Sequence, residues 1–225
     1  MLETGYTVPV PRVERREALH FMGWHGSALD EMLIRQMDEA EAELSHAVKP
    51  RVIIRKFGYD AGMNRLEGTA YMPGGKDIRR LLEECCSVVL IAATLGDAPD
   101  RLVRRKMLTD GGAGFVMDAV ASAMIETVCN EEERKLSRQA SREGLFLTDR
   151  FSPGYGDMPL ADGRIVCEVL DTGKRIGLTV SGSGIMLPQK SVTALIGISR
   201  KAQNHRPNAC AVCQSRDTCA LAERR

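Results

Sequence analysis

The chain predicts an α+β fold in which one sheet is covered by several helices. Strand-like apolar runs at 51–57, 87–94 and 191–198 are separated by amphipathic stretches of unequal length. These do not alternate as regular βαβ units, and no internal repeat or low-complexity linker divides the chain. With 225 residues, 44% hydrophobic and 27% charged, there is material for a substantial core.

Residues 12–22 set Val13, Ala18, Leu19 and Met22 at helical spacing, opposite Glu14, Arg15, Arg16 and Glu17. A second helix opens at Ser27 or Asp30 and carries Leu29, Met32, Leu33, Met37, Ala40 and Leu44 in one stripe until Pro50. Arg51–Phe57 reads as a strand. Pro73-Gly74-Gly75 reads as a turn, and Asp77 as the cap of a short helix through Leu82. The run Ser87–Thr94 is a buried strand, followed by a helix from Pro99 to Met107. After Gly111–Gly114 a longer helix buries Val116, Ala119, Val120, Ala123, Met124 and Val128 and ends in a solvated run, Glu131–Lys135. Residues 162–170 form a short helix, and strand-like runs at 176–180 and 191–198 are joined by Ser181-Gly-Ser-Gly184.

Net charge is +1, from 31 basic and 30 acidic residues, so nothing points to nucleic acid or an anionic membrane as partner. The clusters Arg101/Arg104/Arg105/Lys106 and Arg51/Arg55/Lys56 read as solvated faces. No apolar run reaches the roughly 18 residues that cross a bilayer. The N-terminus lacks the basic and apolar regions of a secretory signal. Seven cysteines without such a signal suggest reduced thiols and a cytoplasmic location.

The most informative segment is Arg150-Phe-Ser-Pro-Gly-Tyr-Gly-Asp157. Proline fixes φ, the glycines allow left-handed geometry, Arg150 offers a planar fork for a carboxylate, and Tyr155 offers a flat face with a polar tip. It reads either as a clamp for a small zwitterionic, ring-bearing ligand or as a surface turn.

Three ordered segments resemble the activation (reactivation) domain of cobalamin-dependent methionine synthase, and the chain looks like a small free-standing relative. They are Arg150-Phe-Ser-Pro-Gly-Tyr155 for the family's Arg-x-x-Pro-Gly-Tyr, Met186-Leu-Pro-Gln-Lys-Ser-Val-Thr193 for its Met-x-Pro-x-x-Ser-Val-Ser, and Asp118–Glu126 for its acidic helix. The resemblance covers about 85–200. It implies a mainly antiparallel twisted sheet, a single domain over 1–205 and a cysteine-containing tail over 206–225. It also implies S-adenosylmethionine as ligand, with Arg150 on its carboxylate, Ser152, Pro153 and Gly154 presenting backbone, and Tyr155 flanking it. Direct alignment puts Ser122 at the ligand-facing acidic position. Glu126 lies one turn later and is the acidic residue expected to answer the ligand's cation.

By that resemblance, the function is reductive methylation of a cobalt(II) corrinoid. The cobalamin would be carried by a separate methionine synthase or corrinoid protein, since the chain has no Asp-x-His-x-x-Gly motif. The electron would come from a donor such as flavodoxin or ferredoxin. No catalytic acid or base is needed, because a sulfonium that loses its methyl leaves a neutral thioether.

A different function is suggested by Cys210-Ala-Val-Cys213 and Cys219, which read as a metal or iron–sulfur site, as a redox dithiol, or as an incidental tail. A complete four-ligand site needs a fourth donor, His205 or another thiol. His20, His25 and His46 are scattered, and Cys85, Cys86, Cys129 and Cys167 read as packing.

Overall fold

The computed structural model describes residues 5–24 and 29–202. The expected mixed fold is present, organised around an antiparallel sheet. Its long strands are β2 (Arg51–Asp60), β4 (Cys85–Thr94) and β8 (Ser191–Ser199). Short strands β1 (Tyr6–Thr7) and β5 (Phe146–Leu147) close the edges in the order β1-β2-β4-β8-β5, and β3 (Arg65–Leu66) folds back on β2. A two-stranded ribbon, β6 (Thr179–Val180) with β7 (Met186–Leu187), stands apart.

Register decides which side chain faces which layer, because successive residues of a strand point to opposite faces. Ile54 lies opposite Ile91, and Leu90 lies opposite Leu195. One face therefore carries Val52, Ile54, Val89, Ile91, Ala93, Ala194, Ile196 and Ile198. Against it pack α1 (Arg15–Phe21), α2 (Glu31–Ala47), α4 (Ala98–Thr109) and α5 (Gly111–Arg142). The other face carries Ile53, Phe57, Val88, Leu90, Ala92 and Leu195, beneath α3 (Lys76–Leu82), α6 (Asp162–Leu170) and α7 (Thr172–Ile176). Burial on both faces explains why 87–94 is apolar without alternation.

Several boundaries differ from the sequence reading. The run 176–180 is not one strand: α7 ends at Ile176, and only Thr179–Val180 is extended. Gly177, at φ +71°, makes the change of direction. Nor does α5 end in a solvated run at 131–135. It continues to Arg142, and Glu132 is buried, accepting from Tyr6 Oη at 2.7 Å and Lys135 Nζ at 2.6 Å. Pairing is what admits a carboxylate to the interior. Asp110 caps the start of α5 through Ala113 N at 3.0 Å. One 18-residue window of α5 is apolar and long enough to cross a membrane, but 67% of that window is buried in this core.

Candidate functional site

The clamp segment is held at both ends. Phe151, 1% exposed, exchanges hydrogen bonds with Leu195 of β8: Phe151 N to Leu195 O at 2.9 Å, and Leu195 N to Phe151 O at 2.8 Å. Beyond it the chain turns tightly, with Tyr155 N on Ser152 O and Gly154 N on Met158 O, both at 3.0 Å. Gly154 sits at φ +91°, a conformation that a side chain would strain. The far end is tied to α3, where the Asp157 carboxylate accepts from Lys76 N at 2.8 Å and Asp77 N at 3.0 Å. The cap of α3 is thus Asp157 and not Asp77. Those backbone bonds hold the Asp157 carboxyl below the usual carboxylate range.

A cavity of about 210 Å³ opens beside this loop. The clamp contributes Ser152, Pro153 and Tyr155, the segment after it Leu160, and α5 contributes Glu126. The β6–β7 ribbon contributes Val180, Gly184 and Met186; β8 contributes Ser191, Val192 and Thr193. The three segments singled out in the sequence therefore meet at one place, although they are separated in the chain. Gly163, at the start of α6, also lines it, where a Cβ would meet Thr193 Oγ1 at 3.6 Å and the Pro153 ring at 3.8 Å, ordinary contact distances. The walls combine apolar surface, hydroxyls, an aromatic ring that is 54% exposed, and one carboxylate. Such a surface suits a ligand that is part apolar and part charged.

Two expected contacts fall differently. Gly154 shapes the turn but does not line the cavity, and its N–H is already used. Arg150 lies behind Glu126 instead of on the wall: its Nη2 donates to Glu126 Oε2 at 2.5 Å. Its Nη1 is buried 3.8 Å from Glu133 Oε2 and makes no hydrogen bond among the described residues. Burial pushes the Glu126 carboxyl above its usual range against the pull of Arg150, and Glu17 of α1 adds to the rise. Burial likewise raises Glu133, opposed by Arg150.

Ser122 has a role other than meeting a ligand. It donates to Asp118 O and accepts from Lys190 Nζ at 2.9 Å, while Lys190 Nζ also pairs with Asp118 Oδ1 at 2.7 Å. Lys190 thereby ties the segment before β8 to α5, next to the cavity wall at Ser191. The sequence placed Lys190 inside a motif but gave no sign of this reach, and Glu133 read as part of a solvated run.

The sequence matches no protein-family model, and no curated protein matches it. Its fold is similar to the crystal structure of the MetH reactivation domain bound to AdoHcy. The TM-score is 0.59 at 17% sequence identity, over 89% of this chain and 83% of that one. What the two share is the fold.

The expected thiol chemistry has two parts. Cys210, Cys213, Cys219 and His205 lie outside the described residues. Among the described residues no group of three His, Cys, Asp or Glu side chains could hold a metal ion. Cys85 and Cys129 are buried, and burial pushes each thiol up to about 12, which keeps them protonated and unreactive. Cys86 is exposed, with Sγ 3.4 Å from Ile198 O.

Proposed function

We propose that this chain binds S-adenosylmethionine in the cavity beside the Arg150–Asp157 loop and serves reductive methylation of a cobalt(II) corrinoid. The corrinoid belongs to a separate protein, a cobalamin-dependent methionine synthase or related methyltransferase, and an electron donor of the flavodoxin or ferredoxin kind completes the system. The observation that carries the proposal is the convergence of Glu126, Ser152–Tyr155 and Met186–Thr193 on one cavity. The likeness in fold to a reactivation domain supports it.

In this reading Arg150, which lies behind Glu126 and off the cavity wall, would turn its guanidinium toward the cavity to take the ligand's carboxylate. Its Nη1 is a buried donor with no hydrogen-bond partner among the described residues, and such a group gains most from an anionic acceptor. Glu126 answers the cationic part of the ligand, Tyr155 flanks it, and Ser152 and Pro153 give it a close approach to the backbone. This chain's work is to bind and orient the methyl donor; the transferred group and the metal supply the chemistry. The reading places the protein in the cytoplasm.

Calorimetric titration with S-adenosylmethionine tests the proposal. Arg150→Ala is expected to weaken binding by tenfold or more, the scale of one lost charge-assisted contact of about 1.5–3 kcal/mol, while the far-ultraviolet circular dichroism spectrum is kept. Unchanged affinity in that variant, or no binding by the unmodified chain, refutes it.

A further inference from the structure

Resting on the S-adenosylmethionine reading, we infer that Glu126 and Glu133, sharing the guanidinium of Arg150, make the site select a sulfonium over its thioether by charge. The two carboxylates are seven residues apart on α5, two turns along nearly the same face. Both point at Arg150, whose Nη2 is 2.5 Å from Glu126 and whose Nη1 is 3.8 Å from Glu133. The three side chains are 15%, 20% and 30% exposed for Arg150, Glu126 and Glu133, so water screens their imbalance incompletely.

The other charges around the cluster do not restore neutrality. Glu17 faces Glu126 from α1, and Asp149 faces Glu133 from the segment before the clamp. Arg134, on α5 itself, also acts on Glu133 but is exposed and 3.7 Å from Glu14, and Lys190 is held by Asp118 at 2.7 Å. Two semi-buried carboxylates therefore share one semi-buried cation at the cavity's edge, and the further cation near Glu133, Arg134, is exposed to water.

S-adenosylmethionine carries a carboxylate, an ammonium and a sulfonium, a net charge of about +1 at neutral pH. Its thioether product has lost the sulfonium charge and is net neutral. The cationic ligand balances the surplus carboxylate, and the product leaves it unbalanced. Methyl donation then weakens the ligand's own hold and helps the product leave. Glu133 does not line the ligand cavity; it lines a neighbouring one of about 270 Å³ and acts through Arg150. It is a specificity-determining residue that need not touch the ligand.

The experiment is calorimetry with three probes: S-adenosylmethionine, S-adenosylhomocysteine, and the analogue with an amino-bearing carbon in place of the methyl-bearing sulfonium. The unmodified chain is expected to bind both cationic probes about tenfold more tightly than the thioether, which is about 1.4 kcal/mol. Glu133→Gln is expected to shrink that ratio to about threefold or less, while Glu133→Asp, which keeps the charge, preserves it. Equal affinities in the unmodified chain overturn the inference, as does an unchanged ratio in Glu133→Gln; in both cases the site still binds the ligand class. If no probe binds, the reading of the cavity falls and takes the inference with it. Should the glutamine variant fail to fold, the comparison of cationic and neutral probes on the unmodified chain still decides the matter.

Discussion

Removing Arg150 tests the electrostatics of the site without any ligand. Arg150→Ala leaves Glu126 and Glu133 facing each other's surroundings with no guanidinium 2.5 Å and 3.8 Å away. Breaking a buried pair by deleting one partner costs about 3–5 kcal/mol, and the partial exposure of these groups puts the expectation at the low end, about 3 kcal/mol. For a domain of this size that lowers the midpoint of thermal unfolding by about 6–12 °C. The pH dependence is more diagnostic. Burial already raises both carboxyls above their unfolded values, and losing Arg150 raises them further. A raised folded pKa contributes stability that is fully present below the unfolded pKa and is lost as pH rises through the folded one. The deficit of the variant should therefore be small in acid, near about pH 4, and full at about pH 8. Urea unfolding of both proteins at the two pH values measures it. A deficit that is the same at both pH values, or no deficit, refutes the assignment of Arg150 as the counter-ion of a semi-buried carboxylate pair.

Gly114→Ala should destabilise the junction of α4 and α5, because the new Cβ would lie 2.6 Å from Met107 N and 2.7 Å from its Cα. Backbone cannot yield as a side-chain tip can, so a loss of about 1–3 kcal/mol is expected by calorimetry, and an unchanged melting temperature would contradict the packing. Asp157→Ala should release the first turn of α3, seen as faster hydrogen exchange at the Lys76 and Asp77 amides. Since the carboxyl of Asp157 is lowered by those bonds, its contribution is present above the unfolded pKa and fades as pH falls through the folded one. Protection of these amides that is the same in both proteins at neutral pH would count against Asp157 as the cap.

Much of this architecture was legible in the residues. Apolar runs marked β2, β4 and β8, and spacing marked the stripe of α2, where Met37, Ala40 and Leu44 are buried. Pro50 separates that helix from β2, as proline must. Local signals mislead where a distant partner competes with them. Glu132 belongs to a charged run that looks solvated, yet Tyr6 makes it a core residue from 126 residues away. Asp77 looked like a cap because of its position, but it lies inside α3, and the first backbone donors of that helix, the amides of Lys76 and Asp77, are taken by Asp157, 80 residues on. At the site, Glu126, Ser152, Pro153 and Tyr155 were named from the sequence and do line one cavity, whereas Arg150 and Gly154 do not.

The difference has one physical origin. Periodicity, turn chemistry and residue type act over a few positions, so the sequence by itself determined the class of fold, most of its elements and the composition of the clamp. It also brought the right residue types forward as candidates. How Arg150 divides its two nitrogens between Glu126 and Glu133, and why Lys190 reaches Asp118 and Ser122, depend on distances between groups that are 17 to 72 residues apart. Only the packing of α5 against the sheet sets those distances. In a partly buried site a few ångströms decide whether a charge is paired or left in surplus, and tertiary structure alone supplies them.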